Sequence, residues 1–408
     1  MSSEKKISWL LRALFGLSLL YAIFSYALTD PNLVLISWPP YWRFQQWMWQ
    51  TFLHQRELLT QVYVLFITGF FVVYLFGLKL TTHTQSLSSK KLLFAYLLAV
   101  SPLFFSYNAL SHDVFNYIFN AKMVLVYQAN PHVQVALDFT HDNWTRFMHN
   151  THTPAPYGYG WTALSLIPYA IGFNTFLLTW LLFRGWAVLS IVLLFWVLQK
   201  ISLTINKKSL SLPAFWLVFL NPVLFIEVIA NQHNDLWMMV PALAALWLLF
   251  DQPTKQTTPK LLASSLLFGF STLIKFATLV ITPVWLLVLM RRVIPKLRNS
   301  LSWERLSWWS SILLFLPLLT LRSQQFLPWY LLWSLVWLPF IKKPWWRHWL
   351  ITFSLTAMLR YVPWLWVGEY TQLVLTQQKW LVWGGGIGLW LMSQLWFLTQ
   401  RVRYNREQ

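Results

Sequence analysis

The run Ser111-His112-Asp113-Val114-Phe115-Asn116-Tyr117 puts a carboxylate beside an imidazole just where an apolar stretch ends. A carboxylate at a low-dielectric boundary has its proton affinity raised, which suits it to take a proton from a sugar hydroxyl. Asp113 is therefore the first candidate base, with His112, Asn116 and Tyr117 beside it as candidate substrate contacts. The same aspartate would also serve as a plain helix N-cap, because Asp ahead of an apolar run is a common cap.

A second polar cluster follows. Asn130-Pro131-His132, Asp138, His141-Asp142-Asn143-Trp144, His149 and His152 lead into Pro154-Ala155-Pro156-Tyr157-Gly158-Tyr159-Gly160-Trp161. Pro, Gly and flat rings make a shaped backbone and a surface on which the apolar face of a pyranose can stack, which selects Asn130, Trp144 and Tyr157. A belt of aromatics at a membrane interface would have the same composition. Asp142, His149 and His152 are metal-ligating types, but no tight two-ligand spacing repeats, so no metal and no other cofactor is expected. Asn143-Trp144-Thr145 also matches a glycosylation triplet.

A third group runs from Asn221-Pro222 through Glu227 to Asn231-Gln232-His233-Asn234-Asp235, between two apolar stretches. Ionisable groups at membrane depth are expensive and argue for function. Glu227 and Asn231, four apart, project from one helix face. His233, Asn234 and Asp235 join Glu227 as candidate substrate contacts, although Asn234-Asp235 would also cap the next helix. Three cations, Lys275, Arg322 and Arg360, fall at the ends of apolar stretches. A phosphate explains such cations, since a guanidinium grips one in a two-point fork; snorkelling to lipid headgroups is the plainer account. Pro328-Trp329-Tyr330 supplies a wall for a sugar or an isoprenoid chain.

The elements that must carry these residues are membrane helices. Of 408 residues, 57% are hydrophobic and 11% charged, whereas a soluble domain carries roughly 25% charged residues. Aromatics make up 19% of the chain, a load that fits rings anchored at two membrane interfaces. Apolar stretches at 7–28, 59–79, 91–108, 175–199, 211–229, 236–250, 261–274, 277–291, 305–321, 327–341, 347–361 and 380–399 give about twelve passages. Residues 161–173 read as a shorter interfacial or re-entrant piece. The first stretch is too long for a signal-peptide core and lacks a cleavage site, so it reads as an uncleaved helix.

With 31 Lys+Arg against 12 Asp+Glu the formal charge is 31 − 12 = +19. No basic, aromatic-interleaved soluble segment exists to hold a nucleic acid, so topology must account for the excess. The positive-inside rule does so: Lys5/Lys6, Lys79/Lys90/Lys91, Lys200/Lys207/Lys208, Lys255/Lys260, Arg291/Arg292/Lys296/Arg298, Lys342/Lys343/Arg347 and Arg401/Arg403/Arg406 all fall on one side. Both termini are then cytoplasmic, and the chemistry-bearing segments face the other way. Segment 109–174 becomes a long first external loop, expected to hold helices lying along the membrane surface because structureless loops of that length are uncommon. There are no cysteines, which removes disulfides and thiolate chemistry. No repeat or soluble tail breaks the chain, so 1–408 reads as one integral membrane domain.

Together these residues resemble the GT-C superfamily of membrane glycosyltransferases, most closely the polyprenol-phosphate-mannose-dependent α-1,6-mannosyltransferases of bacterial lipoglycan assembly. The resemblance rests on Asp113-Val114-Phe115-Asn116-Tyr117, Asn130-Pro131, Pro156-Tyr157-Gly158, Asn221-Pro222 through Glu227 to His233-Asn234-Asp235, Lys275, and Pro328-Trp329-Tyr330-Leu331-Leu332-Trp333. Pro131-His132 stands where the family usually has Pro-Tyr, and Pro-Tyr-Gly-Tyr-Gly-Trp where it usually has Pro-Tyr-Gly-Pro. The resemblance implies an all-α polytopic bundle, an acidic base in the first external loop, which falls on Asp113, and a polyprenyl-phosphate-sugar donor bound within the bilayer.

The expected function is transfer of a hexose, mannose by the resemblance, to a glycan or glycolipid acceptor at the outer face of the cytoplasmic membrane, with inversion. Asp113 would act as base while Lys275, Arg322 and Arg360 bind the donor phosphate. The main rival is a polytopic transporter or flippase of a lipid-linked or anionic substrate, which would show inverted repeats and midplane charges; the sequence has neither.

Overall fold

The computed structural model describes residues 3–29, 33–82, 88–250, 258–320 and 325–407. They form helices and turns, with no strand among the described residues. In lipid every backbone N–H and C=O must be met internally, and a helix does this within one segment.

The helices are α1 (Ser3–Ser25), α2 (Pro39–Met48), α3 (Arg56–Thr81), α4 (Ser89–Val100), α5 (Asp113–Leu125), α6 (Tyr159–Ile171) and α7 (Phe176–Asn206). There follow α8 (Leu212–Phe219), the single turn α9 (Pro222–Phe225), α10 (Asp235–Phe250), α11 (Thr258–Ile274) and α12 (Thr282–Met290). The chain closes with α13 (Pro295–Ser300), α14 (Trp303–Phe315), the turn α15 (Leu332–Leu335), α16 (Pro344–Leu359), α17 (Val362–Val367) and α18 (Gln372–Glu407).

Five segments are long and apolar enough to cross a membrane: Glu4–Leu28, Arg56–Thr81, Phe176–Asn206, Pro344–Val367 and Gln372–Gln400. A sixth exists if Leu212–Phe219 and Pro222–Ala230, bent by 52°, count as one span. These features make the chain a membrane protein. The other apolar stretches that sequence reads as passages fold as shorter pieces. Helix α4 ends after 12 residues and α14 after 13. Residues 327–341 are not one helix but a chain of short turns, Pro328–Leu331, α15 and Leu338–Phe340, buried almost throughout. Pro328 and Pro339 lack the N–H an unbroken helix would need there, and in a membrane protein irregular backbone is tolerated where protein buries it.

Helix α5 also differs from the expected surface helix. Every residue from Val114 to Met123 is buried, so it is enclosed on all sides rather than lying with one face in water. It packs against α6 and α7.

Close helix contacts rest on small residues, as membrane packing requires. On α11, Ser264 Oγ donates to Ala245 O at 2.8 Å and Ser271 Oγ to Met238 O at 2.6 Å, locking α11 to α10. On α3, Gly77 lies against the Trp216 indole, where a Cβ would come within 2.0 Å. That indole donates to Tyr74 O at 3.0 Å.

The bend after α8 has an identifiable cause. Pro222 breaks the helix, and Asn221 fills the break: its Oδ1 accepts from Val223 N at 3.1 Å and its Nδ2 donates to Ser354 Oγ at 3.0 Å. The next residues, Ile226–Ala230, form a single π-helical turn, a rarity that often marks functional sites. Gln232 then takes φ 61°, the left-handed region that costs a residue with a Cβ about 1–3 kcal/mol.

Candidate active site

Asp113 is the first residue of α5, and its carboxylate does not cap the helix. Its Oδ2 instead accepts from the Tyr157 hydroxyl at 2.8 Å and lies 3.5 Å from His233 Nδ1. A carboxylate at a helix N-terminus gains roughly 0.3–1 kcal/mol from the helix dipole. The imidazole beside it in space is therefore His233, not its sequence neighbour. His112 turns away: its ring stacks on His149 with centroids 3.7 Å apart, and its Nδ1 is 2.9 Å from Phe147 O.

Tyr157 reaches Asp113 because of the glycines that follow it. Gly158 N donates to Ile274 O at 3.0 Å, and a Cβ on Gly158 would lie 1.9 Å from Leu273 O. Only a bare backbone can pass so close to the end of α11. The same contact brings Tyr157 beside Lys275, the residue after α11, whose Nζ is 5.5 Å from the Tyr157 ring centre. Burial, reinforced by the Asp113 charge, raises the phenol's proton affinity well above its usual value, so Tyr157 stays a donor.

Lys275 is ion-paired. Its ammonium donates to Asp235 Oδ1 at 2.7 Å, and Trp333 Nε1 donates to the same oxygen at 2.5 Å. An ammonium has three donors, and Lys275 still lines a cavity of about 500 Å³ with Asp113, Tyr157, Trp329, Tyr330 and Trp333. Pro156, Gly158 and Asn150 complete one wall, and Phe276, Ala277, Pro317 and Leu327 make an apolar end. That volume is ordinary for a small-molecule site.

Behind this wall Glu227, His233, Asn234 and Asp235 are fully buried. His233 stacks on Trp329 with centroids 3.6 Å apart, and its Nε2 is 3.3 Å from Glu227 Oε2. Glu227 also accepts from Asn231 Nδ2 at 3.0 Å, as their spacing predicts, and from the Tyr361 hydroxyl at 3.2 Å. Tyr117 sits edge-on to Tyr157 and Trp161, each with centroids 5.0 Å away. Asn116 is buried on the same helix, with its Oδ1 lacking a protein partner.

Other residues singled out in the sequence have local work. Asn130 Oδ1 accepts from His132 N at 3.0 Å, closing a turn, and His132 Nε2 is 2.9 Å from Thr162 Oγ1. Trp144 lies over the Lys122 ammonium, 3.8 Å from its ring centre, and packs on Phe176. Lys122 in turn pairs with Asp142 at 2.5 Å. Burial alone would raise the Asp142 proton affinity, but hydrogen bonds from Lys122, Trp144 N–H and the Tyr127 hydroxyl outweigh it and hold the carboxyl below its usual range. Neither Asn130 nor Trp144 lines the cavity. Arg360 Nε donates to Gln325 O at 2.9 Å, away from the cavity lining. Arg322 lies outside the described residues.

Sequence reading passed over Arg184. Fully buried in α7, it donates to Ala230 O and Ser106 O at 2.7 Å each, to Asn108 Oδ1 at 3.0 Å, and to Ile229 O. It thereby ties the segment leading to Asp113 to the π-helical turn leading to His233. A lone arginine inside an apolar run was the signal that could have found it.

The family model described as Alpha-(1->6)-mannopyranosyltransferase, N-terminal domain, of the MptA_B family, matches residues 34–291. The chain belongs to that family. This makes the protein a glycosyltransferase of a mannosyltransferase family, in agreement with the GT-C resemblance. Comparisons with curated proteins and with solved structures returned no match. In this mannosyltransferase-family protein the matched segment contains Asp113, Tyr157, Glu227, His233, Asp235 and Lys275, whereas Trp329, Tyr330 and Trp333 lie beyond it.

Proposed function

We propose that the chain transfers mannose from a polyprenyl-phosphate-sugar donor to a glycan or glycolipid acceptor, with inversion, at the outer face of the cytoplasmic membrane. The observation that carries this reading is that Asp113 and Lys275 face one cavity from either side of Tyr157. Asp113 takes the proton of the acceptor hydroxyl as its oxygen bonds to the anomeric carbon. The bond from that carbon to the donor phosphate breaks, and its electron pair leaves with the phosphate.

Lys275 meets the charge that develops there, a group already in place where the transition state needs it. Asp235 holds the ammonium in position while leaving it donors for the phosphate. The indoles of Trp329 and Trp333 and the Tyr330 ring offer faces for the sugar, and the apolar end at Phe276, Ala277, Pro317 and Leu327 suits the first isoprene units. A phosphate monoester leaves as a stable anion, so the step needs no general acid and no covalent nucleophile. Among the three cations considered for the phosphate, Lys275 lines the cavity, Arg360 donates to Gln325 O, and Arg322 lies outside the described residues. The charge pattern of the loops supports cytoplasmic termini and a site on the opposite face.

The test is transfer in membranes holding the protein, from synthetic polyprenyl-phosphate mannose to a short α-mannoside. Asp113→Asn should lower turnover by about 10²–10⁴-fold, the span for loss of a general base, while donor binding persists. Full activity in that variant would remove Asp113 from the chemistry.

A further inference from the structure

We propose that His233 and Glu227 form a proton relay behind Asp113, so that the proton taken from the acceptor moves on to a buried imidazole. This rests on the reading of Asp113 as the base. It replaces the expectation that His233 and Glu227 touch the sugar, because both side chains are completely buried and neither lines the cavity.

The geometry is a succession of three groups. Asp113 Oδ2 is 3.5 Å from His233 Nδ1, and His233 Nε2 is 3.3 Å from Glu227 Oε2. Neither ring nitrogen makes a hydrogen bond in this state; these are contacts between ionisable groups, and catalytic hydrogen bonds are often long or poorly aligned before substrate arrives. The three are held rigidly. Trp329 covers one face of the imidazole, and His233 N donates to Glu227 O at 3.0 Å, which fixes the two residues to each other through the backbone. The strained Gln232 and the π-helical turn are what turn both side chains to the same place.

The charges call for this role. Glu227 accepts from Asn231 and Tyr361, which are neutral donors, and no Lys or Arg pairs with it among the described residues. A buried carboxylate without a counter-charge is costly. A neutral imidazole has one nitrogen free to accept a proton, and the imidazolium formed when Asp113 passes its proton on stands between two carboxylates. In the relay the acceptor O–H proton goes to Asp113 Oδ2 and then to His233 Nδ1, while the Nε2 side of the ring lies 3.3 Å from Glu227 Oε2. As products leave, the proton returns through Asp113 to water in the cavity. Nothing is oxidised or reduced. His233 and Glu227 act through Asp113 and are positioning residues.

The experiment measures kcat, donor KM and donor binding with synthetic polyprenyl-phosphate mannose and a short α-mannoside, on the full-length protein in membranes. His233→Gln keeps a polar amide in place of the ring but cannot take up and release a proton. Its kcat should fall about 100-fold with donor KM within about 3-fold of the parent, the pattern of an interaction made only in the transition state. A kcat within about 3-fold of the parent, or a loss confined to KM, overturns the relay. If His233→Gln does not fold, Glu227→Gln carries the same test with an expected loss of about 10-fold in kcat, and an unchanged kcat overturns the relay there too. Asp113→Asn separates the two readings. A dead Asp113→Asn beside a normal His233→Gln removes only the relay, whereas an active Asp113→Asn removes both.

Discussion

Lys275 and Asp235 meet at 2.7 Å although 40 residues separate them in the chain. Asp235 begins α10 and Lys275 follows α11, so the pair closes a helical hairpin at one end, and Trp333 arrives from a distant segment to share the same carboxylate oxygen. The ammonium therefore belongs at once to the frame of the protein and to the cavity.

Breaking that pair should be worse than removing it. Lys275→Met leaves a buried carboxylate unpaired, and a loss of about 3–5 kcal/mol in stability is expected. Lys275→Met with Asp235→Leu should recover most of that loss and remain inactive. Thermal unfolding in detergent beside the transfer assay measures both; recovery of activity in the double variant would mean the phosphate does not need Lys275.

Tyr157→Phe removes one donor from the Asp113 carboxylate and little volume. Hydrogen bonds to charged groups contribute about 1.5–3 kcal/mol, so kcat should drop by at least about 10-fold. Donor KM should move less, since the change acts on the base and not on the phosphate. An unaltered kcat would show that Asp113 works without this contact.

Gly158→Ala places a Cβ where Leu273 O already stands. The loop must shift away from α11, separating Tyr157 from Lys275. Activity should fall at least as far as in Tyr157→Phe, whereas Gly185→Ala, where a Cβ meets nothing within 4 Å, should be silent. Equal activities of the two variants would show that the loop is not held by this contact.

The Lys122–Asp142 pair sets an acid limit. The folded Asp142 carboxyl binds its proton less readily than an unfolded aspartate, so its contribution is fully present above the unfolded value of about 3.9. That contribution is lost as the pH falls through the lower folded value. Hydrogen exchange in residues 136–148 should be protected at neutral pH and loosen only below about pH 4. In Lys122→Met the loosening should begin at higher pH, and an unchanged onset would show that Lys122 does not hold the carboxylate.

The helical membrane class was legible because apolar runs in lipid have little choice but to coil. Hydropathy says only that a stretch avoids water, not whether lipid or protein surrounds it, and so residues 327–341 read as a passage although they fold as buried turns. Asp113, Tyr157, Lys275, Trp329 and Tyr330 were found by type and spacing, and they share a cavity. What sequence could not supply was pairing between distant segments. Adjacency suggested His112 for Asp113, but a helix start sends neighbouring side chains in different directions, and His233 arrives from 120 residues away. Asp235 looked like a cap or a sugar contact until its lysine was in place, and Arg184 lay hidden among apolar residues.

The order of the chain bears on how the protein is made. By residue 291 a ribosome has delivered the carboxylate, the imidazole behind it and the ammonium, but not the indole that covers His233 or the one that binds Asp235. A chain ending there would lack the side of the cavity made by Trp329, Tyr330 and Trp333. The groups assigned to the chemistry thus come first along the chain, and residues 328–333, made later, complete the cavity that Asp113 and Lys275 line.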